Sequence, residues 1–404
     1  MDAQEERNDQ PIRVLRVITR LNIGGPAIQA IRLTTALRVH GFDTLLVHGR
    51  IGAKEGDMSY LLASAPANAQ ADTQYVDTLQ RPIAPWSDIR AAHALYRLMV
   101  RFRPQILHTH MAKAGLLGRS AALVYNATHR HHIRLVHTYH GHVLEGYFSG
   151  PITKAFIQLE RFLSRWTDQL IAVSDRVRTD LLVRYRIGTP ATFGIVPLGF
   201  DLERFAAIDD TARRAAREAL EIRPDVLVIS TVGRLTAIKE HTLFLQMASL
   251  VHSRVANTTF LLVGDGELRE ALERETAALG LGACVRFLGW RRDLATIYAA
   301  SDVFALTSRN EGTPVALIEA MASSVAAVAT DVGGVRDVID DEAKGLVVPF
   351  GNPHALADAV CTLLADSRKR ARMGVAARNA VLAKFQFARL ADDVAHLYRM
   401  LIPR

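Results

Sequence analysis

Cysteine is almost absent: Cys284 and Cys361 are the only two among 404 residues. They lie far apart in apolar contexts, which argues against a disulfide framework and fits a reducing cytoplasm. Long apolar runs are missing as well. The longest candidate, Val315 to Val335, is interrupted by Glu319 and Asp331, so no membrane-spanning helix is expected. Residues Met1 to Gln10 are polar and mostly acidic, the opposite of a secretory leader. Hydrophobic and charged residues, 49% and 22% of the chain, are in the ordinary globular range, which excludes a disordered chain.

Charge is present but unevenly placed. Residues 1–200 hold 24 Lys+Arg against 15 Asp+Glu, a balance of +9, and 11 of the 15 histidines. Residues 201–404 hold 25 against 26. Such an excess is either a solvated surface or a face that meets something anionic, such as a membrane or a phosphorylated lipid.

At this length two domains are expected. Val14 to Thr19 reads as a buried parallel strand that ends at Leu21-Asn22-Ile23-Gly24-Gly25-Pro26-Ala27, followed by a helix to His40. Paired glycines at such a turn let backbone approach a ligand closely. Strands at 43–48, 106–110, 135–140, 170–173 and 193–196 alternate with helical patterns at 87–102, 113–124 and 151–166; residues 52–73 read as a flexible excursion. Ser87 and Ser174 are placed to cap helices. The pattern restarts at Val226 to Val232, with further strands at 259–263, 285–288, 302–306, 325–330 and 346–348. Alternation of this kind predicts an α/β fold with two doubly wound parallel sheets. The expected division is residues 11–198, residues 199–384, and a final helix in 385–404 that reaches back to the first domain.

In such sheets ligands bind beyond the carboxyl ends of the strands. Gly24, Gly25, His110, His140, Gly233, Arg234, Gly289, Asn310 and Glu311 stand at those ends, so two facing sheets would place them in one cleft. Arg234 offers a fork and nearby Lys239 a movable charge, a pair suited to a diphosphate. Between strand and helix, Ser308-Arg309-Asn310-Glu311-Gly312-Thr313-Pro314-Val315 carries one carboxylate at a helix mouth, and Glu319 follows further in. Pro314 fits the first turn of that helix. Two carboxylates beside free backbone N–H groups suit a polyol held next to a phosphate.

These residues carry a resemblance. Gly233-Arg234-Leu235 with Lys239, Val263-Gly264-Asp265-Gly266, Phe287-Leu288-Gly289, Glu311-Gly312-Thr313-Pro314 with Glu319, and Thr330-Asp331-Val332-Gly333-Gly334 stand in a recognisable order. So do Asn22-Ile23-Gly24-Gly25, His108-Thr109-His110, His137-Thr138-Tyr139-His140-Gly141 and Val196-Pro197-Leu198-Gly199-Phe200-Asp201. The set resembles the retaining glycosyltransferases of family 4, with the GT-B fold, over nearly the whole chain. That resemblance implies transfer of a sugar from a nucleotide-diphosphate donor, with a UDP-sugar preferred, to a glycan or polyprenyl-lipid-linked acceptor in cell-envelope polysaccharide synthesis. It implies no cofactor and no metal, since no D-x-D pair stands in a matching context. Arg234 and Lys239 would hold the diphosphate, with Gly24 and Gly25 at its distal phosphate. Glu319 would take the ribose hydroxyls and Glu311 the sugar hydroxyls. The N–H groups of Gly312, Thr313 and Val315, around Pro314, would orient both, and His140 would sit beside the reacting sugar. Gly233, Gly289 and His110 would complete the substrate-binding set.

Two departures stand out. The position after Lys239 is usually glycine or small and polar, and here it is Glu240, which would weaken donor binding if it pointed inward. Residues Ala322 to Ala326 lack the usual glycine and proline. Other readings remain open at this stage. His108 and His110 share a strand face, with His129, His131 and His132 nearby, which hints at a metal, but no glutamate or cysteine joins at ligand spacing. A glycoside hydrolase needs no phosphate clamp, and a dinucleotide oxidoreductase would need a third glycine after Gly264-Asp265-Gly266. A sugar-nucleotide epimerase, a phosphorylase, or a silent membrane-associated subunit are nearer rivals. The segment Pro151 to Trp166, with Phe156, Phe162, Lys154 and Arg165, would serve the last as a membrane-lying helix. Nucleic acid is not an expected partner.

Overall fold

The computed structural model describes residues 11–22, 25–52, 57–63, 71–140 and 150–402. The chain divides into two compact units, one made of residues 1–199 with 388–404 and the other of residues 200–387.

The first unit is built on a seven-stranded sheet in the order β3-β2-β1-β4-β5-β6-β7. Its strands are β1 (Ile12–Arg20), β2 (Phe42–Gly49), β3 (Asp72–Val76), β4 (Ile106–His110), β5 (Arg134–Tyr139), β6 (Gln169–Ala172) and β7 (Phe193–Ile195). Every pairing is parallel. Order reverses between β1 and β4, the switch point at which parallel sheets open a crevice beyond the strand ends. His110 ends β4 and His140 follows β5 there.

Strand β3 falls within the stretch read from sequence as an excursion. Its residues Asp-Thr-Gln-Tyr-Val are polar because it is an edge strand, exposed at all but Val76 and, in part, Gln74. Part of that stretch lies outside the described residues. The helix expected from Ser87 begins at Pro85, whose fixed φ suits a first helical position, with Ala84 as its cap. Ser87 instead donates to the Thr78 carbonyl. Ser174 does cap its helix, accepting from the Val177 N–H.

The second unit carries six parallel strands, β8 (Leu227–Val232), β9 (Thr258–Val263), β10 (Val285–Gly289), β11 (Val303–Leu306), β12 (Ala326–Thr330) and β13 (Leu346–Val348), ordered β10-β9-β8-β11-β12-β13. Alternation along the strands decides which core each residue joins. Ile229, Phe260, Val303 and Val328 point to one face, where Leu243, Phe244 and Met247 of helix His241–Arg254 cover them. Phe304, Leu306, Ala327 and Ala329 point to the other, under Leu317, Ile318 and Met321. Each fully buried Val, Leu, Ile, Phe or Met side chain among these contributes about 1.5–3 kcal/mol. Both faces being covered accounts for the near-continuous apolar strands seen in the sequence.

The final helix, Phe387–Leu401, packs in the first unit through Leu390, Val394 and Tyr398. Arg389 donates to the carbonyls of Pro197 and Leu198, and Arg399 to that of His40.

Candidate active site

The carboxyl ends of β8 to β11 bring three of the expected residues together. Gly233 closes β8, and a short turn then carries Lys239 back over it. A Cβ on Gly233 would lie 3.5 Å from the Lys239 stem. The ammonium reaches Glu311 at 2.6 Å, where the lysine is 24% and the glutamate 8% exposed. Ser308 donates to the same Oε1 at 2.6 Å. The turn and the loop are tied by the Arg309 N–H to the Ile238 carbonyl and by Thr307 Oγ1 to the Lys239 carbonyl.

The loop has a stiff backing. Gly333, at φ +49°, and Gly334 follow β12, and a Cβ on either would lie 1.9 Å from the carbonyl oxygen of Glu311 or Gly312 respectively. The Gly334 N–H donates to the Glu311 carbonyl. Only glycine permits this contact, so the paired glycines of Asp331-Val332-Gly333-Gly334 set the height of the Glu311 loop. Around Gly312 itself a Cβ would meet nothing within 4 Å, so that side of the loop is open.

Helix Val315–Ala322 starts one residue later than Pro314 as placed from sequence: Pro314 is its N-cap, at ψ 82°, outside the first turn. Glu319 lies on that helix and accepts from the Tyr298 hydroxyl at 3.2 Å. Burial pushes its carboxyl up to about 7, against the opposing pull of the Tyr298 bond and of Arg204. Thr313 and Val315 flank Pro314 in the loop and the helix start. Arg234 is exposed, and among the described residues its guanidinium has no acidic partner. Gly289 ends β10 at φ +62° and accepts from the Gly264 N–H.

Glu240 takes the left-handed φ of +50°, which explains the preference for glycine at that position. Its carboxylate pairs with Arg309. Helix His241–Arg254 begins immediately after it.

In the first unit, Gly25 opens helix Gly25–Val39 with open space where its Cβ would be. Gly24 lies outside the described residues. His110 and His140 meet directly, Nδ1 of the first 3.0 Å from Nε2 of the second. His110 is buried and its other nitrogen meets Arg16, so both its nitrogens are engaged. His108 is likewise held, between Tyr398 and Thr138. Side chains already bonded in this way do not form the metal cluster that the histidine spacing hinted at. Among the described residues no group of three His, Cys, Asp or Glu is placed to hold a metal ion. Burial, reinforced by Arg16, holds the His140 imidazole down at about 3, and holds His108 and His110 well below their usual range.

Sequence reasoning missed Arg16, Tyr398 and Tyr298, and the buried pair of Arg119 with Glu160 at 2.6 Å, which Tyr139 joins through its hydroxyl. That pair places Glu160 of helix Gly150–Ser164 in the core, while Phe162 and Trp166 stay exposed. A charged residue within an otherwise apolar parallel strand was the available signal for Arg16.

Comparison with known proteins agrees with this geometry. The family model described as Glycosyltransferase Family 4 matches residues 23–204, and that described as Glycosyl transferases group 1 matches residues 212–380. The chain is 30% identical over 312 residues to a D-inositol 3-phosphate glycosyltransferase of Corynebacterium urealyticum, covering 73% of this chain and 71% of that one. It is 28% identical over 328 residues to an Escherichia coli protein named UDP-Gal:alpha-D-GlcNAc-diphosphoundecaprenol alpha-1,3-galactosyltransferase, covering 80% and 82%. In fold it is similar to Anabaena Alr3699/HepE in complex with UDP, at TM-score 0.81 and 19% identity over 96% and 100% of the two chains. The two parallel sheets are those of the GT-B glycosyltransferases. The chain belongs to glycosyltransferase family 4, and its chemistry is glycosyl transfer.

Proposed function

We propose that the protein is a retaining, metal-independent hexosyltransferase that moves a sugar from a nucleotide-diphosphate donor to a glycan or polyprenyl-lipid-linked acceptor. The observation that carries this reading is the Lys239–Glu311 pair beside Gly233 and the open side of Gly312. A diphosphate arriving there takes over the Lys239 charge, and exposed Arg234 supplies a fork to its other oxygens. Glu311, released, accepts hydrogen bonds from sugar hydroxyls, and Glu319 accepts from the ribose. The N–H groups of Gly312, Thr313 and Val315 face the donor. Gly24 and Gly25 serve the distal phosphate, and His140 meets the sugar. The developing negative charge of the leaving phosphate is stabilised by fixed cations, and that phosphate takes the acceptor's proton during front-face substitution. No cofactor enters the scheme.

Two relatives support the substrates: the Escherichia coli protein named for UDP-Gal and a diphosphoundecaprenol acceptor, and the fold neighbour solved with UDP. We favour a UDP-sugar and a role in cell-envelope polysaccharide assembly, on the cytoplasmic face of the membrane. Thermal shift with UDP, GDP and ADP tests the donor: stabilisation by UDP above the other two is expected, and none by any of them overturns the reading. NMR of the product's anomeric configuration tests retention.

Contact with an anionic membrane is favoured by helix Pro85–Phe102. It buries Ala91, Leu95 and Met99, and turns Trp86 (80% exposed), Ile89 and Val100 outward beside Arg90, His93, Arg97 and Arg101, with no acid on that face. Apolar anchors among arginines suit anionic headgroups better than the half-buried helix 150–164. Among the described residues no helix is long and apolar enough to cross a membrane. Co-sedimentation with phosphatidylglycerol vesicles is expected at low salt and lost in W86D, and equal binding by both proteins overturns this surface.

A further inference from the structure

Arg16 is fully buried in the middle of β1 and has no carboxylate partner among the described residues. Its Nη1 donates to the Ala30 carbonyl at 2.7 Å and to Thr34 Oγ1 at 2.8 Å, both on helix Gly25–Val39, which fixes the guanidinium plane. Its Nη2 then lies 3.0 Å from His110 Nε2.

A guanidinium has only donors. His110 Nε2 must therefore accept, and the proton of the neutral ring sits on Nδ1. That Nδ1–H faces His140 Nε2 at 3.0 Å, so His140 Nε2 accepts in turn. The proton of His140 is left on Nδ1. This last atom is buried and has no partner among the described residues. A buried donor without a partner is destabilising, and a ligand oxygen would relieve it.

We propose that Arg16 is a positioning residue that acts through His110 to fix His140 as the Nδ1–H tautomer, so that His140 offers the substrate a hydrogen-bond donor and not a base. The inference deepens the transferase reading and rests on it for the identity of the ligand oxygen, which belongs to the sugar or its phosphate. It assigns proton acceptance to a group other than His140, since a neutral imidazole whose Nε2 is occupied and whose Nδ1 carries hydrogen has no free lone pair. Burial, and after it the positive charge of Arg16, works in the same direction, keeping the His140 ring from taking a second proton.

The test reads the tautomer directly. The full-length chain, labelled with 15N-histidine, is recorded free of ligand in long-range 1H–15N spectra, with His140 assigned by its loss in H140N. Wild type and R16K, which keeps a donor-only cation, are expected to show His140 protonated at Nδ1, and R16M to show a mixture. Wild-type His140 protonated at Nε2, or an R16M spectrum identical to wild type, overturns the proposal. Should R16M fail to fold, the wild-type spectrum and a second pair of variants still decide. The asparagine amide of H140N sits where Nδ1 was, and the glutamine amide of H140Q where Nε2 was. H140N is expected to keep at least about tenfold more turnover of a UDP-sugar than H140Q, and equal loss overturns the donor role. Absence of UDP-sugar turnover in the wild type would sink the substrate reading alone, since the spectrum does not depend on it.

Discussion

The two units arrange their polar groups in opposite ways. In the first, a buried arginine and histidines sit on or just beyond the strands, joined by hydrogen bonds, and burial keeps the rings neutral. In the second, a lysine and two glutamates sit on a turn, a loop and a short helix beyond the strands, and at least one pair is ionic. The first arrangement is buried and directional; the second is charged and more exposed. The difference teaches which unit manages geometry and which manages charge.

Removing charge from the second unit tests this division most severely. K239A and E311A are each expected to lower sugar transfer by about a hundredfold or more while keeping a cooperative thermal transition. Unchanged turnover in both would end the assignment of the charged loop to the donor.

Geometry in the second unit comes from its glycines, so a methyl there should imitate damage of the first kind. G334A pushes a Cβ against the Gly312 carbonyl. A loss of about 1–3 kcal/mol is expected in denaturant melts, and a displacement near 1 Å would lower turnover by about a hundredfold. Wild-type values for both would mean that the loop is not held from behind.

Glu319 gives a smaller effect with a definite sign. Its folded carboxyl ionises near 7, above its ordinary 4.5. Ionisation therefore opposes the folded state: stability falls as pH rises from about 4.5 to about 7, and the deficit persists above it. On the proposed role of Glu319 at the ribose, its ionised form is the better acceptor, so UDP affinity is expected to rise with pH by up to about tenfold per unit below 7. Calorimetric titrations from pH 5.5 to 8.5 check this, and E319Q should remove the slope. A slope of the opposite sign would break the comparison with the pH-silent histidines of the first unit.

The smallest expected change is at Glu240. E240G relieves a left-handed conformation but gives up a surface pair with Arg309, so a gain below about 1 kcal/mol is expected from its melt.

The sheets were legible because residues buried on both sides leave apolar runs, several of which stop at a glycine or histidine, as at Gly49, His110, Gly233, Gly264 and Gly289. Gly233, Lys239 and Glu311 were legible as well, since each is close in sequence to a strand end. The polar edge strand β3 was not, because an edge is paired on one side only and needs no apolar run. Nor was the role of Arg16: its partners Ala30, Thr34 and His110 come from a helix and from a strand far along the chain. Pro85 and Pro314 show the limit of local rules, for one begins a helix where Ser87 was expected to, and the other stands just outside its helix.

The last helix carries a consequence for how the protein is made. Tyr398 supplies the hydroxyl that meets buried His108, yet the ribosome delivers it after all of residues 200–387. The unit that begins first must finish last, holding an open seam while the second unit completes itself. Until then His108 keeps Thr138 but lacks the Tyr398 hydroxyl at its other nitrogen, so a C-terminal truncation is expected to be felt far upstream.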